Sequence, residues 1–431
     1  MRVRVYLARP NAVRRRDRRA ASRARRRADE AVRRYKLAMT SERLAEIAAT
    51  HRDDLLNDIV PFWTRHSVDR EFGGFLTFLD RDGRVYGPDK PIWLQGRIAW
   101  LFAHLYNEVG RRPEWLELSR HGIEFLEKAA FDTDGRMFFV VARDGRPLRK
   151  RRYLFSETFG TMAFAEYARA TGDDRYRQRA ADLFDLILRY LATPGLLEPK
   201  EIQTTRPSKS HAMPMILVAT AQIARQVDDR PVYDKTIDRS LYEIFHHFAK
   251  PEHRALLETV GPNGEFIDTP EGRCINPGHA IETAWFIFEE AVHRGDDDLW
   301  KAALPILDWS LERGWDREFG GLFYFQDVFG EPCVQYEWDM KLWWPHTEAL
   351  VATLFAYELT GDAKWAEWYE RIHEYTWSHF PDRPQGEWFG YLHRDGTVSH
   401  RQKGNLWKGP YHVSRMMLRC WKRAERMAAE S

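Results

Sequence analysis

Cysteine is scarce: Cys274, Cys333 and Cys420 are the three in a chain of 431 residues, odd in number and far apart. That argues against a disulfide framework or a thiolate metal site, and it suits a reducing, cytoplasmic compartment. No run of some 18 apolar residues occurs, so no membrane-spanning helix is expected. There is no HExxH pair and no Walker loop, and the cluster His246, His247 and His253 reads as surface, so no metal is expected. Net charge is also nearly absent, at +2, but that balance hides an asymmetry. Residues 1–38 hold fourteen Arg and one Lys against Asp17, Asp29 and Glu30, which leaves the rest of the chain acidic. This segment lacks the apolar stretch of a secretory signal. An arm for nucleic acid or an organelle transit segment is one reading. The reading preferred is a disordered extension or a misplaced start codon ahead of Met39, with residues 39–431 as a single domain and no nucleic-acid or membrane partner.

What is present is a globular composition, 44% hydrophobic and 30% charged, with an aromatic share of 14% that includes 17 tryptophans. Such rings serve as core filler or as platforms for sugar faces. Short turns with a Gly or Asp signal recur at Val109-Gly110-Arg111, Thr171-Gly172-Asp173, Val227-Asp228-Asp229, Arg294-Gly295-Asp296 and Thr360-Gly361-Asp362. Their spacing of roughly sixty residues marks a repeated helix pair. The pairs fall near 91–109 and 113–130, 156–171 and 174–192, 211–226 and 231–249, 278–294 and 296–313, and 345–360 and 363–380. A stretch over 41–66 opens the series and 410–426 closes it, which makes twelve helices in an all-α fold.

The longer connections carry hairpin chemistry. Arg81-Asp82-Gly83, Arg143-Asp144-Gly145 and Arg394-Asp395-Gly396 each sit between alternating apolar residues. The phrase from Asp69 to Phe75 returns almost unchanged from Asp316 to Leu322. If helices alternate outward and inward, every long connection lies on one rim, where the even helices begin. Candidate polar and aromatic residues collect there: Trp93, Gln95 and Arg97, then Glu157, His211, His279 with Glu282, His346 with Glu348, and Trp407, Lys408 and His412. Together they describe one concave site. Pro277 and Gly278 place His279 in the first turn of its helix, where the dipole lowers the ring's pKa and keeps it neutral, as a proton acceptor requires. Glu282, three residues on, shares that face, and a carboxylate beside the ring would orient it and pull that pKa back up. His346 and Glu348 lie about 200° apart on a regular helix, so both face inward only if the helix start is irregular.

The phrases IWLQGRIAW at 92–100, NPGHAIETAWF at 276–286, KLWWPHTEALVA at 341–352 and KGNLWKGPYHVSR at 403–415, in this order, resemble the N-acylglucosamine 2-epimerase family, which includes cellobiose and mannose 2-epimerases and some aldose–ketose isomerases. The resemblance spans about 41 to 427. It implies an (α/α)6 barrel, catalytic positions at Arg97, His279, Glu348 and His412, and support of His279 by Glu282, with Trp93, Trp344, His211, His346, Trp407 and Lys408 around the sugar. It implies inversion at C2 of a free monosaccharide or disaccharide with no required cofactor. A nucleotide effector such as ATP would be sought at Lys403 to Gly409, and homodimers are common among such proteins. His211 and Gly404-Asn405-Leu406 depart from the acylglucosamine pattern and leave a plain hexose open. An aldose–ketose isomerase at the same site and a glycoside hydrolase on the same barrel, with Glu348 and either Glu157 or Glu282 as its two carboxylates, are the alternatives.

Overall fold

Residues 39–197 and 202–430 are described by the computed structural model; the Arg-rich segment 1–38, with the expectation attached to it, lies outside the described residues. Twelve helices follow in order: α1 over 41–66, α2 Ile92–Glu108, α3 Pro113–Ala129, α4 Phe155–Thr171, α5 Asp174–Ala192, α6 Ala212–Ala224, α7 over 232–248, α8 Pro277–Arg294, α9 Asp297–Gly314, α10 Trp343–Thr360, α11 Ala363–His379 and α12 Tyr411–Glu430. No helix among the described residues is long and apolar enough to cross a membrane. The first helix contains a π turn at Leu55–Ile59, just before Pro61, whose ring would otherwise collide with a carbonyl one turn back.

Odd and even helices differ in how they bury themselves. In α3 the buried positions Trp115, Ser119, Gly122, Ile123 and Leu126 recur every three or four residues, which is one apolar stripe. In α4 nearly every residue from Ser156 to Ala170 is buried, so that helix is enclosed on all sides. The even helices pack in sequence, α2 on α4, α6, α8, α10 and α12, and α12 returns to α2. Each odd helix covers one even helix: α3 on α2, α5 on α4, α7 on α6, α9 on α8, α11 on α10, and α1 on α12. This is the closed (α/α)6 ring that the repeat predicts.

The short turns work by paired capping. Gly172, Gly295 and Gly361 take left-handed φ of 70°, 65° and 65° at the ends of α4, α8 and α10. The next residue in each case, Asp173, Asp296 or Asp362, is the N-cap of the following helix, and its side chain accepts from backbone N–H groups of the first turn. Three residues thus stop one helix and start another.

The opposite rim holds the long loops. Ahead of four of the six even helices, directly or with one cap residue between, lies a two-residue strand, and each pairs antiparallel with a strand of the next loop: Lys90–Pro91 with Val140–Val141, Lys209–Ser210 with Thr259–Val260, Cys274–Ile275 with Gln326–Asp327, and Lys341–Leu342 with Tyr391–Leu392. Those pairings fix where α2, α6, α8 and α10 begin.

A buried ionic cluster repeats beneath them. Asp69 binds the Lys90 ammonium at 2.8 Å and the Arg143 guanidinium at 2.9 Å. Asp316 does the same with Lys341 at 3.0 Å and Arg394 at 2.9 Å, and Asp382 with Lys403 at 3.0 Å and Arg81 at 2.7 Å. The three arginines are the first residues of the three Arg-Asp-Gly hairpin turns. Each hairpin is therefore pinned to a neighbouring loop, and Arg81 to Asp382 closes the ring. With all three lysines fully buried, loss of one partner leaves an uncompensated charge, at a cost of about 3–5 kcal/mol.

Candidate active site

The loop-bearing mouth opens into a cavity of about 650 Å³, and all six even helices contribute to its wall. Three histidines line it: His400, on the strand Val398–His400 at the mouth, and His279 and His412 at two helix starts. His279 lies in the first turn of α8, where Asn276 caps the helix by accepting from the His279 N–H at 3.1 Å. His412 is the second residue of α12. The indole of Trp344 packs against both imidazoles, with ring centroids 5.0 Å and 5.9 Å away. In each of these two Nδ1 is held by a carboxylate, and among the described residues Nε2 has no hydrogen-bond partner.

The two carboxylates differ. Nδ1 of His412 lies 2.8 Å from Oε1 of Glu348. The other oxygen of Glu348 accepts from the Trp285 indole N–H at 2.9 Å and pairs with Arg415 at 2.8 Å. Arg415 also binds Glu282 at 2.5 Å. Burial pushes the His412 pKa well below its ordinary value, and the guanidiniums of Arg415 and Arg97 add to this. His412 is therefore a neutral imidazole at pH 7. Glu282, Glu348 and His412 bring ligand atoms within 4.8 Å of one another, a donor set that attracts a cation, and the Arg415 guanidinium supplies positive charge there.

Nδ1 of His279 instead meets both oxygens of Glu258, at 3.0 and 3.1 Å. Burial is the largest single influence and lowers the pKa, but the charge and hydrogen bond of Glu258, with the charges of Glu282 and Glu348, together raise the ring above its ordinary value. Glu258 is held down to about 2 against its own burial by His279 and His211. This corrects two expectations. The supporting carboxylate is Glu258, not Glu282, and His279 is not kept neutral by its helix dipole, because a full charge in contact exceeds a partial one.

Arg97 completes the wall. Its guanidinium lies over the rings of Phe159, Trp93 and Tyr411, at 4.0, 4.6 and 5.1 Å from their centroids. Among the described residues no carboxylate binds it, and its Nε is buried without a hydrogen-bond partner. Burial lowers its pKa to about 10, so it stays charged at neutral pH. A buried, unneutralised cation beside two imidazoles is a receptor for a developing oxyanion.

Comparison with known proteins agrees with this geometry. The N-acylglucosamine 2-epimerase family model matches residues 73–415. The chain belongs to the N-acylglucosamine 2-epimerase family. It is 40% identical to the bovine N-acylglucosamine 2-epimerase over 373 residues, covering 85% of this chain and 88% of that protein. Among solved structures, the cellobiose 2-epimerase of Spirochaeta thermophila superposes with a TM-score of 0.78 at 23% identity, over 89% of this chain and 98% of that one. A D-mannose isomerase does so with 0.77 at 19% identity, over 87% and 97%. These two structural likenesses show the shared fold. The protein is a carbohydrate 2-epimerase of the isomerase class.

Several residues expected at the epimerase site serve the frame instead. His346 is fully buried, its Nδ1 bonded to Leu342 O at 2.6 Å and its Nε2 accepting from Leu322 N–H at 2.9 Å. It faces away from the cavity while Glu348 faces in, as a regular helix requires. Gln95 holds Phe75 by both its N–H and its C=O, and Glu157 accepts from Met137 N–H at 3.0 Å while binding Arg136. Each of the three clamps the loop that precedes its helix. Lys408 is buried on Glu387 at 2.9 Å, and Lys403 on Asp382, so the ammonium groups expected to receive a nucleotide are already paired. His211 sits one layer back, 3.7 Å from Glu258. Trp407 does line the mouth, edge-on to Trp93. The hydrolase alternative lacks its pair of carboxylates: Glu157 is outside the cavity and Glu282 and Glu348 share Arg415.

Sequence reasoning missed Glu258 and Arg415. The second had a signal, since it lies three residues from His412 on the same helical face. Glu258 had none, being in a loop 21 residues before its partner.

Proposed function

We propose that this epimerase inverts C2 of a free N-acylated hexosamine, interconverting the N-acylglucosamine and N-acylmannosamine forms. The observation that carries the reading is the pair of imidazoles in one cavity, each with Nδ1 on a carboxylate and Nε2 free, beside the unpaired Arg97. In the open-chain aldehyde the C2 hydrogen is acidified by the adjacent carbonyl. A neutral Nε2 takes that proton, the C2–H bond pair moves into the C1–C2 bond, and the carbonyl oxygen becomes an enolate oxygen facing Arg97. The other imidazole, protonated, returns a proton to the opposite face of C2. His412, held neutral, suits the first task, and His279, whose pKa Glu258 raises, suits the second; the reverse reaction exchanges the roles.

Turnover of N-acetylmannosamine in heavy water tests this. The expected result is N-acetylglucosamine carrying one deuterium at C2; product without deuterium there would end the proposal. Mannose, glucose and cellobiose run in parallel define the sugar. A second reading, aldose–ketose isomerisation, requires a 2-hydroxyl and a proton returned to C1. A ketose from mannose with deuterium at C1 would favour it.

A further inference from the structure

Glu258 lies between two short strands, Ala255–Leu256 and Thr259–Val260, and its backbone joins two helix starts. Its N–H donates to Cys274 O at 3.1 Å, on the strand entering α8, and its C=O accepts from His211 N–H at 3.0 Å, at the cap of α6. The backbone that carries the carboxylate is therefore tied to both helix starts. Its side chain faces His279 Nδ1 with both oxygens. Behind it, His211 approaches to 3.7 Å, and the other ring nitrogen of His211 lies 3.1 Å from the Thr283 hydroxyl, which donates to His279 O at 2.8 Å. The circuit from His279 through Glu258, His211 and Thr283 closes on the residue it began with.

We infer that Glu258 is a positioning residue that fixes the tautomer of His279, so that Nδ1 keeps its proton and Nε2 alone exchanges a proton with C2. Neutral imidazole free in water prefers the proton on Nε2, which cannot accept from carbon; a carboxylate at Nδ1 reverses that preference. Glu258 itself takes no proton during the reaction. His412 has its own partner in Glu348 and does not depend on Glu258. Loss of Glu258 should thus disable one face of C2 and spare the other.

This inference rests on the epimerase reading, and its test separates the two. Glu258→Ala and Glu258→Gln are incubated in heavy water with N-acetylglucosamine and, separately, N-acetylmannosamine. In Glu258→Ala, epimerisation should fall about 100-fold or more, while one of the two sugars still exchanges its C2 hydrogen for deuterium, with retained configuration, within about tenfold of wild-type turnover. Glu258→Gln, which keeps an acceptor for the Nδ1 proton without the charge, should recover part of the loss. Exchange and epimerisation falling together for both sugars, or epimerisation within threefold of wild type, overturns the inference. A wild-type protein inert toward every sugar would instead defeat the functional reading. The tautomer is then read directly by nitrogen NMR of the His279 ring: a shift from Nδ1–H to Nε2–H in Glu258→Ala supports the assignment, and an unchanged ring refutes it.

Discussion

Gln95 and Arg97 are two residues apart in one helix turn, as are His346 and Glu348, yet within each pair the members do unrelated work. Gln95 and His346 turn outward and clamp loop backbone at Phe75 and Leu322. Arg97 lines the cavity, and Glu348 turns inward to hold His412, which lines it. Polar residues at the start of an inner helix thus form two rings, a structural one facing the loops and a chemical one facing the lumen. Residue type does not distinguish them, since a buried histidine occurs in both.

Substitutions in the two rings should separate cleanly. The largest effect is expected at the chemical ring: His412→Asn or His279→Asn should lower kcat for epimerisation by about 10³-fold, the scale of lost acid–base catalysis, with the thermal midpoint little changed. Next come the ionic clusters under the structural ring. Asp316→Ala strands Lys341 and Arg394 and should cost about 3–5 kcal/mol in urea unfolding, while the folded fraction keeps its kcat/KM. His346→Phe leaves Leu322 N–H and Leu342 C=O without their partner and should cost about 1–3 kcal/mol, again with kcat/KM within threefold. If that variant loses catalysis before stability, the division into two rings is wrong.

Acid sharpens the same contrast. Burial lowers His346 from 6.5 to about 3, so between those values the unfolded chain binds a proton that the folded one refuses. Stability contributed by neutral His346 is complete above pH 6.5 and is lost as pH falls toward 3, by up to about 1.4 kcal/mol per pH unit. His346→Phe should flatten the stability profile by that slope. The pair of Glu258 with His279 acts in the opposite sense on its histidine side: with the folded pKa raised, its contribution is complete below the unfolded value and fades as pH rises through the folded one. The smallest effect is expected at the rim, where Trp407→Ala should raise KM a few-fold, about 1 kcal/mol, and leave kcat alone.

Much of the frame was legible. Gly172-Asp173, Gly295-Asp296 and Gly361-Asp362 were legible as short turns between helices, and the structure makes each a left-handed stop followed by an N-cap. The three Arg-Asp-Gly turns were visible as hairpins, but their arginines reach carboxylates of other loops, up to 301 residues away, and nothing local points there. At the site, Arg97, His279, Glu348 and His412 were found through their place at helix starts and through the resemblance. Glu282 was credited with supporting His279 because both lie on one helix face; a loop carboxylate took that place because the strand pairing of the mouth delivers it closer.

Periodicity, capping and turn chemistry act over three to five residues, so the amino-acid sequence alone determined twelve helices, their joins and the rim on which long loops gather. Which side of each inner helix looks into the lumen, and which carboxylate reaches which imidazole, was decided by ring closure and cross-loop strands. Those contacts span 21 residues for Glu258 and His279 and 64 for Glu348 and His412, and a distance along the chain of that length leaves no local trace of the direction in which a side chain points.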